Sequence, residues 1–164
     1  MNKEYFLKLA NYNIWANDIC TDWLNQISEE QWNQPLIGSM ASIAATAIHI
    51  AGAEKIWYER LENNPSPFLS SHFDGDKMEL VNIWKKASKN LLIYIENLPE
   101  SDLLSKFNYS NIKGEPFHSL KFEALAHVFN HSTYHRGQIV NYLRQVGFTK
   151  VGSTDLIQFY RLNS

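Results

Sequence analysis

The sequence predicts an all-α protein: a four-helix bundle with a small β-hairpin before the last long helix. Four long stretches repeat their apolar residues at spacings of three and four, the period of an amphipathic helix. The prolines fall between these stretches rather than inside them. One segment near the C-terminal third instead alternates aromatic and polar residues around a Lys113-Gly114 turn signal. At 164 residues, one domain spanning 1–164 is expected.

The first helix is expected from near Asn2 to about Ile27. Tyr5, Leu9, Tyr12, Ala16, Ile19, Trp23 and Ile27 form its stripe. Ser28 with Gln31 makes a capping-box pattern for a short further turn, and Pro35 and Gly38 punctuate a loop. The second long helix starts at Ser39 or Ser42, both good N-caps, and runs to about Asn63. It carries two apolar stripes, so most of its circumference is expected to be buried. Ala45, Gly52 and Ala53 make one side small enough for a close approach by another helix or a metal. Pro65 and Pro67 end it.

Asp76 with Glu79 is another capping box. It opens a third helix with Leu80, Trp84, Ala87, Leu91, Tyr94 and Leu98 on one face, closed by Pro99. The hairpin segment LLSKFNYSNIKGEPFHSL follows. The fourth long helix runs from about Leu120 to Val146, with Gly147 as its stop. A last short turn is expected at DLIQFYRL.

Composition narrows the function. Lys and Arg number 15 against 17 Asp and Glu, with no basic stripe, so a nucleic-acid partner is not expected. Cys20 is the single cysteine, which excludes an internal disulfide and cysteine-rich metal sites. It is expected to pack in the core. The N-terminal residues do not resemble a signal peptide. The most apolar window, Ala41 to Ala53, is interrupted by His49 and too short to span a bilayer. A cytoplasmic protein with no membrane partner is expected.

The chemistry concentrates in HVFNHSTYHRGQIV. His127, His131 and His135 recur every four residues, and positions four apart on a helix lie on nearly the same side. His131 and His135 can therefore address one atom, as paired imidazoles do in zinc peptidase helices. The glutamate base of that peptidase pattern is missing, since Ser132, Thr133 and Tyr134 lie between them. Two ligands are too few, and His49 on the small face of the second long helix is the best third. His127 lies a further turn away, beside the metal or on the substrate side, unless it only packs the helix. Arg136 and Gln138 are candidates for the same surroundings. Arg136 pairs with a carboxylate such as Glu54 or Glu59, or is an exposed helix charge. Gln138 hydrogen-bonds within the bundle. Gly137, mid-helix, is expected to mark a close helix crossing. His72 and His118 are expected on the solvated surface. No residue is assigned as catalytic.

The segments GSMASIAATAIHIAGAEKIWYERL and HVFNHSTYHRGQIVNYLRQVG resemble the DinB-like (damage-inducible, YfiT-like) superfamily, and the likeness extends to the closing TDLIQFYRL. That resemblance implies a four-helix bundle, often a homodimer, with a divalent metal on three histidines, here His49, His131 and His135. It also implies one of three activities. The first is metal-dependent activation of a low-molecular-weight thiol, such as bacillithiol or mycothiol, for S-transfer to a small electrophile. The second is metal-dependent hydrolysis, with His127 or Glu54 assisting a proton transfer. The third is a non-catalytic metal- or ligand-binding stress protein. Three imidazoles suit zinc, nickel, copper or ferrous iron, and zinc or nickel is expected.

Overall fold

The computed structural model describes residues 2–163. Its elements run α1 (Lys3–Leu24), α2 (Glu29–Asn33), α3 (Ile43–Leu61), α4 (Lys77–Asn97), β1 (Lys106–Ser110), β2 (Pro116–Leu120), α5 (Lys121–Gln145) and α6 (Leu156–Leu162). Short 3-10 turns occupy Leu69–Ser71 and Glu100–Leu104. Among the described residues no helix is long and apolar enough to cross a membrane.

Local chemistry sets where the helices begin. Asn2 Oδ1 accepts from the Tyr5 amide at 3.1 Å, and Ser42 Oγ accepts from the Ala45 amide at 3.0 Å. Each bond satisfies a donor that the first helical turn leaves free. Both predicted capping boxes, Ser28/Gln31 and Asp76/Glu79, close reciprocally. At α5 the Glu123 carboxylate reaches back to the Leu120 amide at 2.8 Å. Gly147 follows α5 at φ 85°, a left-handed conformation that suits a helix end. Helix α1 stops at Leu24, earlier than expected. The Gln26 and Ile27 amides bond back three residues rather than four, which tightens the chain into a turn.

The predicted hairpin is present. Strands β1 and β2 pair antiparallel, with Phe107 opposite Ser119 and Tyr109 opposite Phe117. Its turn is closed by the Gly114 amide on Asn111 O at 3.0 Å, with Gly114 at φ 80°.

Helix α1 packs on α4 and α5, and α3 packs on the same two. The bundle interior holds two apolar clusters. One includes Cys20, Ile50, Trp84 and Ile139, and the other includes Ala10, Leu61, Leu91 and Phe129. On each of the four long helices a buried polar residue lies between them: Asn13 and Asn17, Glu54, Ser88, and Ser132 with Arg136. The order in which each helix meets the clusters gives its direction. Helices α1 and α5 run one way, α3 and α4 the other.

Neighbours α3 and α4 are therefore parallel, so the segment 62–76 has to travel back along the bundle. Leu61 lies in one cluster and Leu69 in the other. Gly52 makes room for this return: a Cβ there would sit 3.1 Å from Leu69 Cβ and 3.4 Å from Phe68 Cζ. The small face of α3 thus receives this connection at Gly52.

Candidate metal centre

His49 comes from α3, His131 and His135 from the neighbouring α5. One ligand atom from each lies within 4.8 Å of the others. The Nε2 atoms of His49 and His131 face each other at 2.9 Å. Ring centroids are 4.8 Å apart for His49–His131, 4.5 Å for His49–His135 and 4.3 Å for His131–His135. The one-turn spacing on α5 stacks two imidazoles, and the crossing of α3 presents the third.

The surroundings orient His135 and disfavour the charged form of His49 and His131. Gln138 donates from Nε2 to Ser39 Oγ at 3.1 Å, which leaves its Oε1 as an acceptor 2.7 Å from His135 Nδ1. His135 Nδ1 therefore donates to Gln138, which fixes the ring's orientation. Burial, then the neighbouring His135, His49 and His127, push the His131 imidazolium down to about 3. Burial and His135 also lower His49. Neutral imidazole is the form that ligates a metal. His131 Nδ1 is buried with no hydrogen-bond partner. Core histidines normally find protein partners. Here the Nε2 atoms of His49 and His131 find each other, and the donor set fits a divalent transition-metal ion.

A family model described as the DinB family matches residues 1–161. The chain belongs to the DinB family. Protein DinB of Bacillus subtilis (strain 168) is 24% identical to it over 153 residues, 88% of each chain. The crystal structure of a DinB-like protein from Bacillus subtilis matches with a TM-score of 0.67 at 18% identity, covering 90% of this chain and 97% of that one. At that identity the match speaks for the fold.

The other expected site residues of this DinB-family protein divide. Gln138, expected to hydrogen-bond within the bundle, accepts from His135 Nδ1 and donates to Ser39 Oγ. His127 is exposed, with its ring 5.7 Å from His131 and 5.1 Å from Trp57. Burial against these rings and the Arg60 charge lower its pKa. His72 and His118 are exposed, and Cys20 is fully buried.

Arg136 does not stand on the substrate side. One residue beyond His135 is a rotation of about 100°, which turns it into the bundle. It is 1% exposed. Its Nη1 donates to Asn13 Oδ1 at 2.6 Å and Asn17 Oδ1 at 2.8 Å, and its Nη2 to Thr133 Oγ1 at 2.9 Å. Asn13 and Asn17 in turn donate to Glu54 Oε1 at 2.9 and 2.8 Å. The two asparagines thus bridge Arg136 to Glu54. Ser132, Ser88 and the Trp84 indole complete the Glu54 shell. Glu54 is 0% exposed and surrounded by donors, so it cannot serve as a base toward a substrate. Glu59 pairs with Lys55 and accepts from the Ser66 amide.

Two contributors escaped the sequence reading. Phe68, on the 62–76 connection, packs its ring 6.1 Å from His49. Arg60 lies over Trp57 at 4.9 Å and over Tyr109 at 5.2 Å. The signal for Arg60 was the WYERL stretch on the His49 helix. Its partners on the hairpin were not visible.

Proposed function

We propose that this DinB-family protein is a metal-dependent S-transferase. In this reading His49, His131 and His135 hold one divalent ion, zinc or nickel. The protein then joins a low-molecular-weight thiol, such as bacillithiol, to a small electrophile. The supporting observation is the convergence of three imidazoles from two helices, at least two of them kept neutral by burial and by one another. Three protein ligands are the mark of a catalytic rather than a structural site. The ion supplies positive charge that makes a thiol ionise readily near neutral pH.

The chain's own residues position and shield. Gln138 fixes the ring of His135. Phe68 covers one side of His49 and excludes water there. His127 stands on the exposed side, where an incoming molecule would meet it. Cys20 is no alternative nucleophile, because burial pushes its thiol up to about 12. Hydrolysis is the second reading; Glu54 is enclosed, which leaves His127 as its base. The family likeness extends the proposal to a cytoplasmic homodimer.

Zinc- or nickel-loaded protein, assayed with a panel of thiols and small electrophiles, is expected to form thiol conjugates. Metal-dependent cleavage of an ester or amide without added thiol would replace this reading with the hydrolase. Bound metal with no turnover in either assay would leave a binding protein.

A further inference from the structure

Arg60 follows His49 by eleven residues, about three helical turns, so both occupy one face of α3 some 16 Å apart along the axis. Gly52 and Ile56 lie between them on that face. The 62–76 connection and the hairpin wall this face into a cleft of about 680 Å³, lined by Ile56, Arg60, Phe68, Ser70, Asn111 and Ile112 among others. Phe68 also packs on His49, so its ring stands between this cleft and the histidine cluster. A second cavity of about 520 Å³ adjoins Arg60 on the hairpin side, between Asn63, Tyr109 and His118. Neither cavity is lined by any Asp or Glu.

Arg60 itself is held but not neutralised. Trp57 and Tyr109 clamp its guanidinium by cation–π contact. Its Nη2 donates to Ser110 O at 2.7 Å. Among the described residues no carboxylate pairs with it. Arg136, by contrast, has three short hydrogen bonds to oxygen acceptors. A guanidinium offers five N–H donors in a planar fork that matches a carboxylate. Tying Arg60 to the hairpin uses one of them.

We infer that Arg60 anchors the carboxylate of a small molecule lying in this cleft, whose other end meets the Phe68 wall beside His49. In the proposed reaction that molecule is a carboxylate-bearing thiol or electrophile. Its role as substrate rests on the S-transfer reading, whereas the anion contact does not. A clamped, preoriented fork loses little freedom on binding, which favours a weak but selective grip on a planar acid.

The test uses metal-free full-length protein, followed by NMR at the Arg60 Nε–H and Trp57 indole N–H. Succinate, its neutral diamide and inorganic phosphate are titrated in turn. Succinate is expected to shift both signals saturably, and the diamide to leave them in place. Arg60→Lys should weaken succinate binding at least tenfold and Arg60→Gln should abolish it, with far-UV circular dichroism reporting the fold. If a variant unfolds, the wild-type contrast between succinate and diamide still decides. Unshifted signals with succinate, equal binding by succinate and diamide, undiminished binding in folded Arg60→Gln, or a response to phosphate alone would each overturn the inference. Because no metal is present, such a result would leave the S-transfer reading standing. Failed turnover with intact succinate binding would do the reverse.

Discussion

Two polar groupings occupy the same helices α3 and α5, and they are built on opposite terms. Around Glu54, acid, amides, hydroxyls and the Arg136 guanidinium satisfy one another, and only Arg136 Nε lacks a partner. In the histidine cluster the Nε2 atoms of His49 and His131 face each other, His131 Nδ1 has nothing, and burial suppresses the charged form of both. Burying a charge is unfavourable unless hydrogen bonds offset it. The Glu54 layer meets that condition within the protein, so its role is architectural. The histidine cluster is not saturated in that way, since His131 Nδ1 has no partner. Residue type alone would have ranked Glu54 and Arg136 as the better catalysts; hydrogen-bond saturation reverses the ranking.

Four changes break or sharpen the contrast, from the largest effect down. Glu54→Ala strands several buried donors and the Arg136 charge. It is expected to cost about 3–5 kcal/mol, lowering Tm by roughly 10 °C in thermal unfolding. Acid should act next, on the metal-free histidine cluster. His131 titrates near 6.5 when unfolded but is pushed to about 3 in the fold. Between those values the unfolded chain binds more protons, so stability is complete above pH 6.5 and declines as pH falls toward 3. His131 is only partly buried, and solvent screening keeps this loss below that of Glu54→Ala. Urea midpoints measured across that range check it. Gln138→Ala removes the acceptor of His135 Nδ1 and should weaken metal binding by about 10- to 100-fold with helicity unchanged, as read by competition with a chelating dye. Gly137→Ala is the mildest. A Cβ there meets nothing within 4 Å, so the change should stabilise the protein by about 0.5–1 kcal/mol and leave metal affinity alone.

What the sequence disclosed, and what it hid, follows the range of each interaction. Caps, capping boxes and the Lys113-Gly114 turn act within a few residues, and all of them formed. The histidines were legible because a one-turn spacing is a local signal and His49 interrupts an apolar face. Tyr5 was assigned to the core stripe but is 52% exposed, while Phe6 beside it is buried; the stripe at the start of α1 lies one residue further on. Gly137 suggested a helix crossing where there is open space, and Gly52 accommodates the 62–76 connection. Asn13 and Asn17 resemble ordinary helix-surface residues until Glu54 and Arg136, far along the chain, are brought to them. Arg60 depends on Tyr109 and Ser110, about fifty positions away. Helix direction was also invisible, because it resides in which ends share a cluster.

The central claim is that the three imidazoles share one cation. Untagged protein, wild type and His135→Ala, should be analysed for metal content after purification. Near-stoichiometric zinc or nickel in the first and a large loss in the second, with helicity preserved, is the predicted outcome. Equal metal in both, or none in either after incubation with zinc and nickel, would contradict it.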